Sequence, residues 1–563
     1  MGQIIIRRVY LSGFLLLVFS LFYYQIVKGD YYLQRGRNNY VRVIPLRSIR
    51  GTIFDRNEVP IAYDKATFNI AVVPYEIQNK KDSLFMKLAE FFDCDVNLIH
   101  KNYEKRKTNI FSPVDVIIDC DKMQTLKAKD KFGEVIIINP QPRRLYPQGY
   151  EFAHVLGYVK KAVSSLEILK KYGYTPSERI GFGGIEQYYD AYLKGDSGGD
   201  LIEVDAKGKI VGFLGERKPE KGKDIYLTID NRIQTRAYEA LGNNRGVIIL
   251  LDSKKGEILA LVSRPSFDPN DFIKGENIKK LFDDENKPLI NRGIQATYPL
   301  GSTFKPIVSI AALDSKKVTD HTTFNCLGQF NLGMSVFKCA HVHNQENLYD
   351  ALTHSCNVYF YNIGIITGSQ AISQWAKKFG LDSPTKIDLP YEKNGLVPSP
   401  LWKSKNLKTP WVKGDTVNFS IGQGFLTTTP LENAMAFNVF ATGGYLLSPY
   451  LLKKIDTTNA VLSAKVYLGI NKELLEPIKQ GLRGAVVSED GTAHQLNNLN
   501  LKIAGKTGTA QTTGKSHGWF LGFFPYDDPK YTVCTFMENC GSSFYAVKTT
   551  YNFLKDLQDE KIL

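Results

Sequence analysis

Pro299-Leu300-Gly301-Ser302-Thr303-Phe304-Lys305-Pro306, continued by the apolar run Ile307–Leu313, is the stretch on which the reading of this chain turns. Pro299 and Gly301 interrupt whatever precedes them. The run after Pro306 reads as a helix, and proline is tolerated only in a helix's first turn, which fixes the register. Ser302 is therefore expected at the helix start, with Lys305 three residues on and on the same face. A helix N-terminus offers backbone N–H groups and the positive end of a dipole where negative charge develops. A serine hydroxyl is a weak nucleophile without a base. Lysine serves as one only when neutral, so its pKa must fall from about 10.4.

Two further strings follow in order: Ser355-Cys356-Asn357 and Lys506-Thr507-Gly508. Ser355 can relay a proton, and Asn357 can hold a substrate amide or Lys305. As a bare S-x-N the string is also an ordinary helix cap, and the aromatic run Val358–Tyr361 behind it predicts a buried helix. Leu501–Gln511 reads as a strand in which Gly508 lets another backbone approach. Lys506, Thr507 and Thr509 are suited to a carboxylate, and Lys506 is expected to be the second cation that depresses Lys305. The N–H groups of Ser302 and Thr509 can form an oxyanion hole. Ser335…Lys338 and Ser383…Lys386 also match S-x-x-K, but one lies in a glycine-containing stretch and the other meets Pro384 at once. Both read as chance matches.

Working outward, 563 residues with 43% hydrophobic content make several domains with real cores. The formal charge of +14 has no nucleic-acid motif beside it. The lysines are scattered, as at Lys279-Lys280 and Lys403, Lys405 and Lys408, so no nucleic-acid partner is expected. Val9–Val27 is almost uninterruptedly apolar, and nineteen residues rise about 28 Å, enough for a hydrocarbon core. Arg7 and Arg8 precede it, predicting a short cytoplasmic N-terminus (1–8), an uncleaved membrane helix (9–27) and the rest of the chain outside.

Seven cysteines, an odd number, do not read as a complete disulfide framework. Cys326, Cys339, His341, His343 and Cys356 cluster in the sequence, and Cys339-x-x-x-His343 has ligand-like spacing. A structural zinc on Cys326, Cys339, His343 and Cys356 stands against a Cys326–Cys339 disulfide or plain thiols.

Between the anchor and residue 220 lie Arg50-Gly51-Thr52-Ile53-Phe54-Asp55-Arg56-Asn57, a strand entering a turn; mixed elements over about 65–140, including a helical pattern at Ser83–Phe92; and Gly181–Glu186 leading into a short helix at Gln187–Leu193. A new unit begins near 221. Ile225–Ile229 reads as a strand, Asp230 as the N-cap of a helix Asn231–Leu241, and Gly246–Asp252 with Glu257–Val262 as a hairpin.

Taken together, these strings resemble the class B penicillin-binding proteins over nearly the whole chain. Arg50-Gly51…Asp55-Arg56-Asn57, Tyr146-Pro147…Gly149 and Gly183-Gly184-Ile185-Glu186 are similar to that class as well. Ser355–Phe360, Lys506–Gln511 and His517–Phe520 are more similar to its elongation-type than to its division-type members. Glu58 stands where the family usually has glycine, so a different turn is expected there.

The resemblance implies an α+β protein: one membrane helix, an elongated pedestal (28–220) with a head insertion near 65–140, and a transpeptidase domain (221–563). The last would have a five-stranded antiparallel sheet covered by helices. It implies a periplasmic serine D,D-transpeptidase cross-linking peptidoglycan stem peptides, acylated by β-lactams, with Ser302, Lys305, Ser355 and Lys506 catalytic and Asn357, Thr507, Gly508 and Thr509 binding substrate. A SEDS-family glycosyltransferase and rod-shape scaffold proteins are the implied partners. The chemistry needs no cofactor, and any zinc would be structural. A division-type transpeptidase, a D,D-carboxypeptidase, a β-lactamase or sensor, and a non-catalytic activator of a partner polymerase are the rival readings.

Overall fold

The computed structural model describes residues 2–107, 110, 113–161, 179–205, 210–460 and 464–563. Two compact units emerge, and neither follows a linear cut. One comprises 1–51, 64–143 and 194–222; the other comprises 52–63, 144–193 and 223–563. Segments 52–63 and 144–193, expected within the pedestal, thus fold with the catalytic part. The cause is long-range pairing: Ile225 and Tyr226 lie parallel to Ile53 and Phe54, which no local pattern encodes.

In the first unit, helix Gly2–Phe22 runs into a π turn at Tyr23–Val27. This 26-residue helix is long and apolar enough to cross a membrane, and none of it is buried within the protein. It starts earlier than the apolar run predicts and carries Arg7 and Arg8 on its first turns. Strands Val41–Leu46, Gly198–Val204 and Ile210–Arg217 form an antiparallel sheet. Residues 64–143 have their own core, where Phe85 and Leu88 of helix Lys81–Phe92 pack with Ile70, Val72, Val116 and Ile136.

The second unit is built on the expected five-stranded antiparallel sheet, in the order Ile258–Arg264, Gly246–Asp252, Tyr531–Met537, His517–Phe524, Ala504–Ala510. Successive side chains of a strand point to opposite faces. Val247, Ile249 and Leu251 accordingly join the core of helix Pro430–Ala441 and the helix after Ser302, while Ile248 and Leu250 join that of helices Asn231–Leu241 and Ser543–Asp559. Both faces are covered, which is why these strands read as continuous apolar runs. Asp230 caps its helix as expected, accepting from Arg232 N. The short helix expected at Gln187–Leu193 begins earlier, as Gly184–Tyr188 followed by Asp190–Leu193.

Two polar motifs of this unit are worked into it. Asp55, fully buried, accepts from the backbone of Asn57 and Val59 at 2.8 Å each. Glu58 adopts φ 65°, so the turn keeps the left-handed geometry that suits glycine rather than changing shape. Arg144 Nε donates to Glu186 Oε1 at 2.7 Å, and the Tyr146 hydroxyl donates to the same oxygen at 3.1 Å, all inside the protein. Removing one partner of a buried pair costs about 3–5 kcal/mol. Glu186→Ala is therefore expected to destabilise the catalytic unit by that much, read as an earlier loss of near-ultraviolet circular dichroism on heating. A shift within about 0.5 kcal/mol would show the pair to be dispensable.

Candidate active site

The three strings meet. Gly301–Phe304 forms a 3-10 turn leading into helix Lys305–Asp314, with Pro306 in its first turn. Gly301 takes φ 57°, and its N–H donates to Gly422 O at 2.9 Å. Thr303 Oγ1 donates to Leu300 O at 2.9 Å and accepts from Asn433 Nδ2 at 3.2 Å, while Trp519 Nε1 holds Pro299 O at 3.0 Å. The turn that presents Ser302 is thus bonded on three sides. Ser302 itself is half-buried and lines a cleft of about 910 Å³. Among the described residues its Oγ takes no hydrogen-bond partner.

Lys305 is fully buried, and its Nζ donates to Asn357 Oδ1 at 2.8 Å, to Ser355 O at 2.7 Å and to Ser355 Oγ at 3.3 Å. Ser355 sits at φ 60°, an uncommon conformation for a residue with a side chain, and this turns its carbonyl towards the lysine. Cys356, not Ser355, is the N-cap of helix Asn357–Thr367, its Sγ accepting from Tyr359 N.

Strand Ala504–Ala510 is the edge of the sheet. Thr509 O accepts from Gln423 Nε2 at 3.3 Å, so this carbonyl faces away from the sheet. A strand residue points its N–H and C=O the same way, so Thr509 N–H faces the cleft. Thr507 Oγ1 donates to Thr492 Oγ1 at 2.9 Å. The close approach that Gly508 permits is made by the serine turn itself: a Cβ there would stand 2.8 Å from Leu300 O and 3.2 Å from Thr303 N.

Both motif lysines are shifted downwards. Burial lowers Lys305 to about 8. Lys506, also fully buried, is pushed well below its ordinary value, by burial first and by the Lys305 charge second. Two buried ammoniums disfavour each other, and that coupling is mutual. Desolvation is the leading cause of the drop at Lys305.

Beside Asn357 lies the cysteine cluster. The donor atoms of Cys326, Cys339, His343 and Cys356 all fall within 4.8 Å of one another. His343 Nδ1 is 3.4 Å from Cys326 Sγ and 3.6 Å from Cys339 Sγ, close to the edge of a tetrahedron with arms of about 2.0–2.3 Å. All seven cysteines are free thiols. The cluster leaves out the His341 ring, although Cys326 Sγ donates to the His341 carbonyl at 3.6 Å. Burial disfavours the imidazolium of His343, and donation from Cys356 and backbone N–H groups lowers Cys339 while the same hydrogen bond raises Cys356, so the pair shares a proton. A neutral imidazole and a ready thiolate suit a soft divalent cation.

The chain matches the penicillin binding protein transpeptidase domain over residues 246–558 and the penicillin-binding protein dimerisation domain over 45–227. It belongs to the penicillin-binding proteins. It is 31% identical to the peptidoglycan D,D-transpeptidase MrdA of Escherichia coli K12, over 93% of this chain and 89% of that one. The Haemophilus influenzae MrdA is 33% identical over 93% and 86%. The solved complex of penicillin-binding protein PBP2 and MreC from Helicobacter pylori is similar with a TM-score of 0.81 at 29% identity, covering 93% of this chain and 99% of that one. A structure titled as showing the coordination of polymerization and crosslinking by a peptidoglycan synthase complex has a TM-score of 0.74 at 27% identity, with 98% of each chain covered.

Sequence reasoning found Ser302, Lys305, Ser355, Asn357, Lys506, Thr507 and Thr509, and the fold brings them to one place. It missed Thr492, Gln423 and His354, which touch the motif residues from loops without a recurring spacing. His354 bridges Glu346 at 2.8 Å and Asp490 at 3.0 Å; its place beside Ser355 was the one available signal.

Because burial disfavours the ammonium, the neutral fraction of Lys305 grows as pH rises through about 8. A base in that form predicts that penicillin acylation of Ser302 accelerates about tenfold per pH unit below that value and levels off above it. A rate independent of pH over about 6 to 9 would remove Lys305 as the base.

Proposed function

We infer that this protein is a peptidoglycan D,D-transpeptidase of cell-wall elongation, working through an acyl-serine. The observation that carries the reading is the Lys305 amine held between Ser355 and Asn357, one helical turn beyond Ser302, with the edge strand of Lys506-Thr507-Gly508 against the same turn. In this reading Ser302 Oγ attacks the penultimate D-Ala carbonyl of a stem pentapeptide while neutral Lys305 takes its proton. The N–H groups of Ser302 and Thr509 receive the oxyanion. The C–N bond breaks, the proton passes through Ser355 to the departing D-Ala amine, and Ser302 is left as an ester. A side-chain amine of a second strand attacks that ester, giving the cross-link and restoring the serine. Thr507 and Thr509 bind the terminal carboxylate, with Lys506 behind them. Asn357 holds the peptide amide, and Gly508 lets the strand and the serine turn close on each other. A β-lactam enters the same first step as a substrate mimic.

The membrane helix, with Arg7 and Arg8 at its start, favours a cytoplasmic N-terminus and a periplasmic catalytic unit in the inner membrane. The similar Helicobacter pylori protein is solved in complex with MreC, and another similar chain belongs to a peptidoglycan synthase complex. A rod-shape scaffold of the MreC kind and a SEDS-family glycosyltransferase are proposed as partners here. We also propose one structural zinc on Cys326, Cys339, His343 and Cys356. It would tie Cys356, which separates Ser355 from Asn357, to the segment 326–343, and it would supply rigidity rather than chemistry.

Labelling with a fluorescent penicillin tests the reading. A stable adduct on the wild type, none on Ser302→Ala, a loss of about 10²–10⁴-fold in acylation rate for Lys305→Ala and full labelling of Lys386→Ala are expected. An adduct that survives Ser302→Ala would leave the activator of a partner polymerase as the better account. Product analysis separates cross-linking from trimming: joined strands are expected, and trimmed strands alone would mean a carboxypeptidase. For the metal, about one zinc per purified chain is expected, with a lower unfolding temperature after chelation. Zinc-free protein unmoved by chelators would remove the proposal.

A further inference from the structure

Between helix Lys472–Val487 and the edge strand Ala504–Ala510 the chain makes a tight turn, Ser488–Thr492, that no motif marks and that touches both walls of the cleft. The turn is folded back on its own helix: Ala493 N donates to Ala485 O at 2.8 Å, and Gly491 N to Ser488 O at 3.0 Å. That helix lies hard against helix Leu348–Thr353, for a Cβ at Gly484 would run into Thr353 Oγ1 and one at Gly481 would stand 2.7 Å from Leu352 Cβ. Ser488 Oγ donates to Asp490 Oδ1 at 2.7 Å, which leaves the other carboxylate oxygen facing His354 Nε2 at 3.0 Å. His354 is bonded through its second nitrogen to the buried Glu346 and is followed directly by Ser355. One end of the turn is therefore held by the wall that carries the lysine's acceptors.

Thr492 joins the other end to the opposite wall. It is exposed, lines the cleft with Ser302, and its Oγ1 accepts from Thr507 Oγ1 at 2.9 Å. Thr507 is only 3% exposed, and its hydroxyl has a single proton to give. In this structure that proton goes to Thr492. To meet an anion, Thr507 must turn its proton to the anion, and its oxygen then needs a donor. Among the described residues the Thr492 hydroxyl has no acceptor for its own proton, so it can supply that donor by reversing the bond. Linked hydrogen bonds polarise one another, so a hydroxyl that accepts one donates a stronger one. The reversal costs Thr507 no partner and strengthens the donor that faces the anion.

We propose that Thr492 is a positioning residue for the acyl transfer: its hydroxyl directs the Thr507 proton at the terminal carboxylate of the donor, and the Asp490–His354 bond keeps it in place. The inference rests on the acyl-serine reading above, in which Thr507 meets that carboxylate. The turn Ser488–Thr492 is then a brace between the Ser355–Asn357 turn and the strand of Lys506-Thr507-Gly508. A role in packing alone is the competing account, and it would slow acylation by any ligand alike. The brace acts through the anion. A hydrogen bond to a charged acceptor is about twice as strong as a neutral one, so the loss of Thr492 falls on a carboxylate and spares an ester.

The full-length protein is acylated with a penicillin and with the methyl ester of the same penicillin, and the adduct is followed by mass spectrometry of the intact chain. The wild type is expected to react faster with the free acid by about tenfold or more in second-order rate. Thr492→Val should lower that acid-to-ester ratio about fivefold by slowing the acid alone, and Thr492→Ser should restore it. Asp490→Ala supplies a test of sign. Removing a negative charge beside the cleft would by charge alone raise the ratio, whereas loss of the brace lowers it. An equal loss on acid and ester in Thr492→Val, an unchanged ratio in that variant, or a raised ratio in Asp490→Ala overturns the proposal. Labelling of the wild type separates the two levels. An adduct on Ser302 with a ratio indifferent to Thr492 overturns the positioning role alone; no adduct, or one that survives Ser302→Ala, overturns the acyl-serine reading and the positioning role with it.

Discussion

The arrangement depends on one buried amine. Lys305 is wholly removed from solvent, and an isolated ammonium in such a place would cost several kcal/mol. The fold meets that cost partly with three acceptors, one from Asn357 and two from Ser355, and partly by lowering the pKa so that the neutral form is within reach. Each acceptor needs its own support. Ser355 must take a left-handed conformation to turn its carbonyl inward, and Asn357 must begin a helix whose cap is a cysteine thiol. Strain at Ser355 is thus the counterpart of a base at Lys305.

The second constraint is contact between backbones. The serine turn and the edge strand touch through Gly301 and Gly508, where a Cβ would come within about 2.8 Å of a carbonyl on either side. That contact leaves Thr509 as the strand residue whose N–H can face the serine. Lys506 on the same strand is fully buried, and burial first and the Lys305 charge second disfavour its ammonium. Position therefore depends on a strand with a glycine where any other residue would push the turn away.

Much of this was legible in the sequence because the signals are local. Pro306 fixes a helix start, Asp230 fixes another, and the uninterrupted apolar strands Gly246–Asp252 and His517–Phe524 announce a sheet covered on both faces. Glu58 misled in an informative way. The missing glycine predicts a different turn, but Asp55 holds the loop through two backbone N–H groups and imposes the left-handed angle on a glutamate. The pairing of Ile53-Phe54 with Ile225-Tyr226 was not legible, since it joins strands separated by about 170 positions, beyond any periodicity.

The hairpin 329–338 shows how spacing alone can imitate a motif. By spacing alone Ser335 and Lys338 imitate a catalytic pair, and their strand geometry disqualifies them. What ties the hairpin to the site is unrelated to that imitation: the bonds from Asn357 and Tyr361 to the Lys338 carbonyl, and the cysteines that flank the hairpin at Cys326 and Cys339. The cluster, the hairpin and the Ser355–Asn357 turn share residues or hydrogen bonds, so drawing the four ligand atoms together would draw the hairpin and the lysine's acceptors into register at once. A structural metal there would act on the reaction without touching it, by fixing both where the base sits and which wall the peptide meets.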